Sequence, residues 1–320
     1  MDLEIFVGVD VSKETLDFVV LQEGLTKQFH MQVENNEGGI RSFYKRLNSE
    51  IKVSDENCLF CLEHTGIYCN PFLEFAESKD LIVWLEDAKK IKAYHGLERE
   101  KNDAIDAYRI AEYGYAKRHK IKRWEAPRAV ISELKAMIKL RERLMTTKKR
   151  LTDPLREDEK LNKQWLKEHK KLVQPIIDKT EKQIKEIEAK INQLIKEDEH
   201  LKKLYGLVSS VKGVSLIVGV NTIVATNEFK KITDPKKMAC HCGVAPFKKE
   251  SGKSVRGKSK VSHQANKSMK TLYNLAARSA VGSKGEMRDF YLHKVAEGKN
   301  KMSVMNAVRN KIIHRIFACV

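Results

Sequence analysis

Residues 5–20, IFVGVDVSKETLDFVV, place a single acid, Asp10, at the end of one apolar run and follow it with a polar turn and a second apolar run. Ile5–Val11 and Leu16–Leu21 read as two strands of a hairpin, because β-branched and aromatic residues recur across a short polar connection. A carboxylate inside such a sheet is costly unless its pKa rises or a cation sits beside it. The stretch therefore asks for partner acids elsewhere in the chain.

The surrounding sequence continues in the same style. Ile40, Phe43, Tyr44 and Leu47 recur at helical spacing. CLFCLE (58–63) and LIVWLE (81–86) read as buried strands, and NPFLEFAESK (70–79) as a helix with Pro71 in its first turn. Residues 1–125 are thus expected to form an α/β domain with a mixed sheet.

Residues 126–205 change character to charged helix rich in Leu and Ile. Ile177, Thr180, Ile184, Ile187, Ile191, Leu194 and Leu201 fall on spacings of three and four, with Asp198 as the polar exception, so a helical coiled-coil spacer is expected. Pro154 and Pro175 are expected to mark its breaks. Such a seam serves packing within the chain or self-association. Residues 206–320 read as a small, mostly helical domain that opens with LVSSVKGVSLIVGVNTIVAT, a helix-hairpin-helix-like pattern turning at Lys212–Gly213.

Charge is distributed unevenly. The 320-residue chain carries a net charge of +18, and residues 206–320 hold 22 Lys and Arg against 6 Asp and Glu, a net of +16. That is the footprint of a polyanion-binding surface, which gains free energy by releasing counterions from phosphates. A merely solvated basic face is the plainer alternative. No apolar run is long enough for a membrane span and no targeting segment is visible, so a cytoplasmic protein is expected. Six cysteines without such a segment argue against a disulfide framework. Cys58 and Cys61 are three apart on a strand and face opposite sides. Zinc at ACHCGVAP (239–246) lacks the usual paired spacing.

Further acids stand where elements could aim them toward Asp10. Glu63 closes CLFCLE before the turn HTGIY, and Asp103 and Asp106 in KNDAIDAYRIAEYG are three apart at a helix start. Four crowded carboxylates repel one another unless divalent cations neutralise them, and an oxygen-only donor set suits Mg²⁺ or Mn²⁺. Two such ions roughly 4 Å apart would clamp an in-line phosphoryl transfer. The first hairpin also suits actin-like ATPases and sugar kinases, but Val11-Ser12-Lys13-Glu14 lacks the glycines that let a backbone approach ATP phosphates.

The order GVDVSKETLDF, LEHTGIY, KNDAIDA, a helical spacer, VKGVSLIVGVNTIVA and CGVAPFKKESGKSVRGKSKVSHQANKSMKTLYNLAARSA resembles the insertion-sequence transposases that join a RuvC-like, ribonuclease-H-like DEDD domain to a serine-bearing transposase domain. These recombinases are guided by a bridging RNA. The resemblance implies a metal tetrad of Asp10, Glu63, Asp103 and Asp106, and a nucleophilic serine at Ser251 in KKESGKS, with Ser254 as the alternative. It also implies donor and target DNA, a structured guide RNA, and a homo-oligomer, dimer or tetramer, as partners. Lys212, Lys248, Lys249, Lys253, Arg256, Lys258 and Lys260 would grip phosphates without reading bases. A metal-dependent Holliday-junction-type endonuclease using water, and a basic nucleic-acid-binding scaffold, are the rival readings.

Overall fold

The computed structural model describes residues 3–22, 24, 26–51, 57–96, 102–161, 163–251, 255–261 and 265–320. It divides the chain into two compact units, residues 1–126 and 127–320.

The first unit is built on a five-stranded sheet of order β3-β2-β1-β4-β5. Strands β1 (Ile5–Val11), β2 (Thr15–Gln22) and β3 (Thr26–Glu34) form an antiparallel meander. β4 (Cys58–Glu63) and β5 (Ile82–Glu86) then add in parallel with β1. Ser12 locks the first turn: its hydroxyl accepts from the Thr15 amide at 2.9 Å. β3 was not expected from sequence. At the edge of the sheet its residues are mostly partly or fully exposed, so TKQFHMQVE carries little of the apolar signal that marks a strand.

Alternation sends the residues of each inner strand to opposite faces. On one face Val7, Val9, Phe18, Phe60 and Leu62 pack with α1 (Glu37–Glu50) and α2 (Asn70–Ser78), where the Phe18 and Phe43 rings stack 3.7 Å apart. On the other, Phe6, Val19, Leu59, Cys61 and Trp84 pack with α4 (Asp103–Ala116) and with Ile91 of α3 (Ala88–His95). Cys58 and Cys61 fall in these two separate clusters. The six cysteines are all free.

The second unit begins with two long helices, α5 (Ala129–Leu161) and α6 (Lys163–Glu197). Both prolines lie inside these helices, Pro154 in α5 and Pro175 in α6, rather than at breaks. A proline removes one backbone hydrogen bond, and the apolar face it would interrupt, with Leu155, Ile177, Ile184 and Ile191 buried, holds the helices through it. Asp198 is likewise not a polar position within a continuing seam. It ends α6 and caps α7 (Glu199–Ser209), its carboxylate accepting from the Leu201 amide at 2.8 Å.

The remaining elements are α8 (Leu216–Thr226), α9 (Pro235–His241), the hairpin β6 (Pro246–Ser251) with β7 (Val255–Val261), α10 (Lys267–Gly282), α11 (Glu286–Ala296) and α12 (Lys301–Cys319). One core joins Ile131 and Leu134 of α5, Ile191 and Ile195 of α6, Tyr273 of α10 and Ile312, Ile313 and Ile316 of α12. Among the described residues no helix is long and apolar enough to cross a membrane.

Candidate metal centre and basic hairpin

The sheet register explains why scattered acids meet. Gly8 pairs with Cys61 across the parallel β1–β4 ladder, so Asp10 and Glu63, each two residues further, leave the same face of the sheet. Asp10 is also opposite Asp17 in the β1–β2 ladder, and Glu63 is opposite Glu86 in β4–β5. The face that carries α4 is therefore edged by a row of acids, Asp17, Asp10, Glu63 and Glu86, one on each of four strands.

Helix α4 brings two more. Gly8 makes its approach possible, because a Cβ there would collide with the Ala107 carbonyl oxygen and the Ala111 amide. Asn102 caps the helix by accepting from the Ile105 amide at 3.1 Å, which places Asp103 and Asp106 in the first turn, at the positive end of the helix dipole. Asp103 is exposed and Asp106 half-buried, the latter accepting from Arg109 at 3.1 Å.

Electrostatics tie these groups together. The half-buried Asp10 carboxyl is pushed from its ordinary 3.8 up to about 6, first by burial, then by the charges of Asp106, Asp103, Glu63 and Asp17. Each of the other three acids of the expected tetrad is thus close enough to be felt by Asp10. That is the condition a cation relieves. Among the described residues no three acid, imidazole or thiol groups form a ready metal cage. The acids share an electrostatic neighbourhood rather than a closed ligand shell, and their oxygen-only donors fit a hard divalent ion.

Asp17 and Glu86 were not singled out from sequence. Asp17 is buried and held by His30 Nε2 at 2.8 Å and Gln32 Nε2 at 2.9 Å, both from β3. Glu86 accepts from Lys90 at 2.8 Å and from the Asp87 amide at 2.8 Å. The available signal was the pairing itself: Asp17 mirrors Asp10 across the hairpin, and both CLFCLE and LIVWLE end on glutamate.

In the second unit Ser251 closes β6, its backbone paired with Val255, while Lys248 and Lys249 lie in β6 and Arg256, Lys258 and Lys260 in β7. Lys253 and Ser254 lie outside the described residues. A two-stranded hairpin is thus the frame on which Ser251 stands. Lys212 donates to the Lys284 carbonyl, and Gly213, at φ +94°, packs on Ala276 and Ala280 of α10. The Lys212–Gly213 turn is thus a packing joint against α10.

Comparison with known proteins bears on both units. Residues 7–158 match a family model of the IS110 DEDD type described as "Transposase", and residues 205–292 match one described as "Transposase IS116/IS110/IS902 family". The chain is 22% identical over 319 residues to the "Pilin gene-inverting protein" of Moraxella bovis, covering 98% of this chain and 95% of that protein. It is 24% identical over 118 residues to the "Insertion element IS116 uncharacterized 44.8 kDa protein" of Streptomyces clavuligerus, covering 37% of this chain and 28% of that protein.

Proposed function

The chain belongs to the IS116/IS110/IS902 family of transposases, and from that premise we propose that it cuts and rejoins DNA with acids of the first unit and a serine of the second. The observation that carries the reading is the raised Asp10 carboxyl, felt by Asp106, Asp103 and Glu63 from two other elements. The antiparallel meander continued by two parallel strands supports a RuvC-like, ribonuclease-H-like frame. The name of the Moraxella relative supports DNA rearrangement as the reaction class.

Asp10, Glu63, Asp103 and Asp106 would hold Mg²⁺ or Mn²⁺. Such an ion, when bound, withdraws charge from phosphate oxygens and makes a nearby hydroxyl easier to deprotonate. Asp10 is fixed in the central strand and offers its carboxylate across the pocket; Asp103 and Asp106 approach from α4, with Arg109 steadying Asp106. Asp17, held by two donors of β3, adds negative charge beside Asp10.

The Ser251 hydroxyl attacks the scissile phosphorus: a Ser–O–P bond forms, the P–O bond to the departing strand breaks, and the departing hydroxyl takes up a proton. Ser254 is the alternative nucleophile. Rejoining is the reverse attack by a strand hydroxyl, which frees the serine. Lys248, Lys249, Lys253, Arg256, Lys258 and Lys260, with Lys212, would contact backbone phosphates, in keeping with the net charge of +16 in residues 206–320. Base choice would fall to a structured guide RNA, and strand exchange between two duplexes calls for a homo-oligomer, for which the helices α5 and α6 offer exposed Leu161, Trp165, Leu172 and Ile176.

The test is a covalent trap on a cognate DNA end with Mg²⁺. An adduct in the native protein that is lost in both Ser251→Ala and Asp10→Ala is expected. Cleavage that survives both Ser251→Ala and Ser254→Ala would identify a nuclease that uses water, and absence of cleavage in every form, native included, would leave a binding scaffold.

A further inference from the structure

Arg309 is a cation buried without an anion among the described residues. It sits on α12 with 6% of its surface exposed, on the same helical face as the core residues Ile312, Ile313 and Ile316. Its Nη2 donates to Asn274 Oδ1 of α10 at 2.6 Å and its Nη1 reaches Asn306 Oδ1 at 3.4 Å, both neutral acceptors. Its Nε is buried with no partner among the described residues. Burial lowers its pKa, and among the described residues no carboxylate offsets it.

This contrasts with a partly exposed guanidinium network of the same unit. Arg128 meets Asp198 at 2.7 Å and Glu228 at 2.6 Å, so its charge is neutralised within the protein. Lys and Arg are seldom buried unless paired, because desolvation of a charge without a counter-charge is expensive. A guanidinium fork with an idle donor suits the geometry of an oxyanion, which accepts two parallel hydrogen bonds.

Its location narrows the ligand. Asn306, one turn earlier on α12, donates to the Val244 carbonyl at 2.8 Å, two residues before β6 begins. Arg309 is therefore tied through Asn306 to the root of the hairpin that carries Ser251. Lys270 and Arg278 flank Asn274 by one turn on either side of α10, so that helix itself adds positive charge there and carries no acid. We infer that Arg309, positioned by Asn274 and Asn306, is the seat of a phosphate group at the root of the β6–β7 hairpin, supplied by a nucleic-acid backbone. The nucleic-acid source rests on the proposed function; the oxyanion site does not.

The experiment uses the full chain in two arms. In the first, inorganic phosphate is titrated at constant ionic strength while the melting temperature is followed. A rise of several degrees is expected for the native protein and none for Arg309→Met, whose apolar stem replaces the buried charge. An equal response in both proteins overturns the inference. Arg309→Lys keeps the charge but loses the fork, so it shows a weakened response and serves if the methionine variant does not fold; an unchanged response there also overturns it. In the second arm, duplex DNA affinity is measured against salt, and the log–log slope is expected to fall by about one on Arg309→Met, the loss of a single phosphate contact. A phosphate response lost in the first arm with an unchanged slope in the second supports the oxyanion site and overturns its nucleic-acid source. A missing covalent adduct with both arms intact would instead sink the cleavage reaction alone.

Discussion

Gly8 of β1 lies beneath Ala107 of α4 so closely that the two backbones are in contact through the space a side chain would fill. This contact seats the helix whose first turn carries Asp103 and Asp106 over the strand that carries Asp10. The approach of these acids to one another depends on the smallest residue in the strand.

Gly8→Ala should therefore act on structure and site together. The added methyl meets backbone atoms, which cannot rotate away, so a loss of about 2–3 kcal/mol of stability is expected. Urea unfolding followed by circular dichroism checks it. DNA cleavage should fall further than stability does, since α4 must shift away from Asp10. Unchanged stability would show that α4 is not held by this contact.

Asp10→Asn should stabilise the metal-free protein. The Asp10 carboxyl titrates at about 6 in the folded chain against an ordinary 3.8, so its ionised form is disfavoured by folding, and stability falls as pH rises from about 4 through 6. The amide mimics the neutral form. After discounting for partial exposure, a gain of about 1–2 kcal/mol at pH 7.5 is expected, disappearing near pH 4, alongside loss of cleavage. Thermal melts at the two pH values decide it, and Mg²⁺ should stabilise the native protein but not the variant.

Arg128→Ala should destabilise the second unit by about 2–4 kcal/mol, because the Glu228 side chain, only 1% exposed, is left without its main counter-charge. Adding Glu228→Gln should restore part of the loss. Asp198 gives this network the opposite pH slope to Asp10. The hydrogen bond from Arg128, then that from the Leu201 amide, holds its carboxyl below the ordinary range, so its stabilisation is present above that range and lost as pH falls through it to the lower folded value. Acid titration of native and Arg128→Ala proteins should show that slope weakened in the variant, which keeps only the bond from the Leu201 amide.

Ile191→Ala should cost about 2–4 kcal/mol, since Ile191 of α6 is fully buried in the core that also holds α5, α10 and α12. Partial proteolysis should then cut within α6 before the sheet of the first unit is attacked. Protection equal to native would mean that α6 does not share that core.

Asp10, Glu63, Asp103 and Asp106 could be singled out before any fold was known, because each stands at an element end marked locally: Asp10 at the close of an apolar run, Glu63 at the end of CLFCLE, Asp103 and Asp106 three apart at a helix start. The apolar spacings of β1, β2, β4, β5 and α1 were equally plain, since both sides of each of these strands, or one stripe of the helix, are covered. Tertiary structure alone decided the rest. Asp17 and Glu86 join the row only through strand register, and β3 forms because β2 offers it a partner. Pro154 and Pro175 stay inside helices because a long buried face outweighs one lost hydrogen bond each. Local patterns fix which residues must be covered, whereas pairing and burial across distant segments fix what covers them, and that second choice depends on energies no short stretch contains.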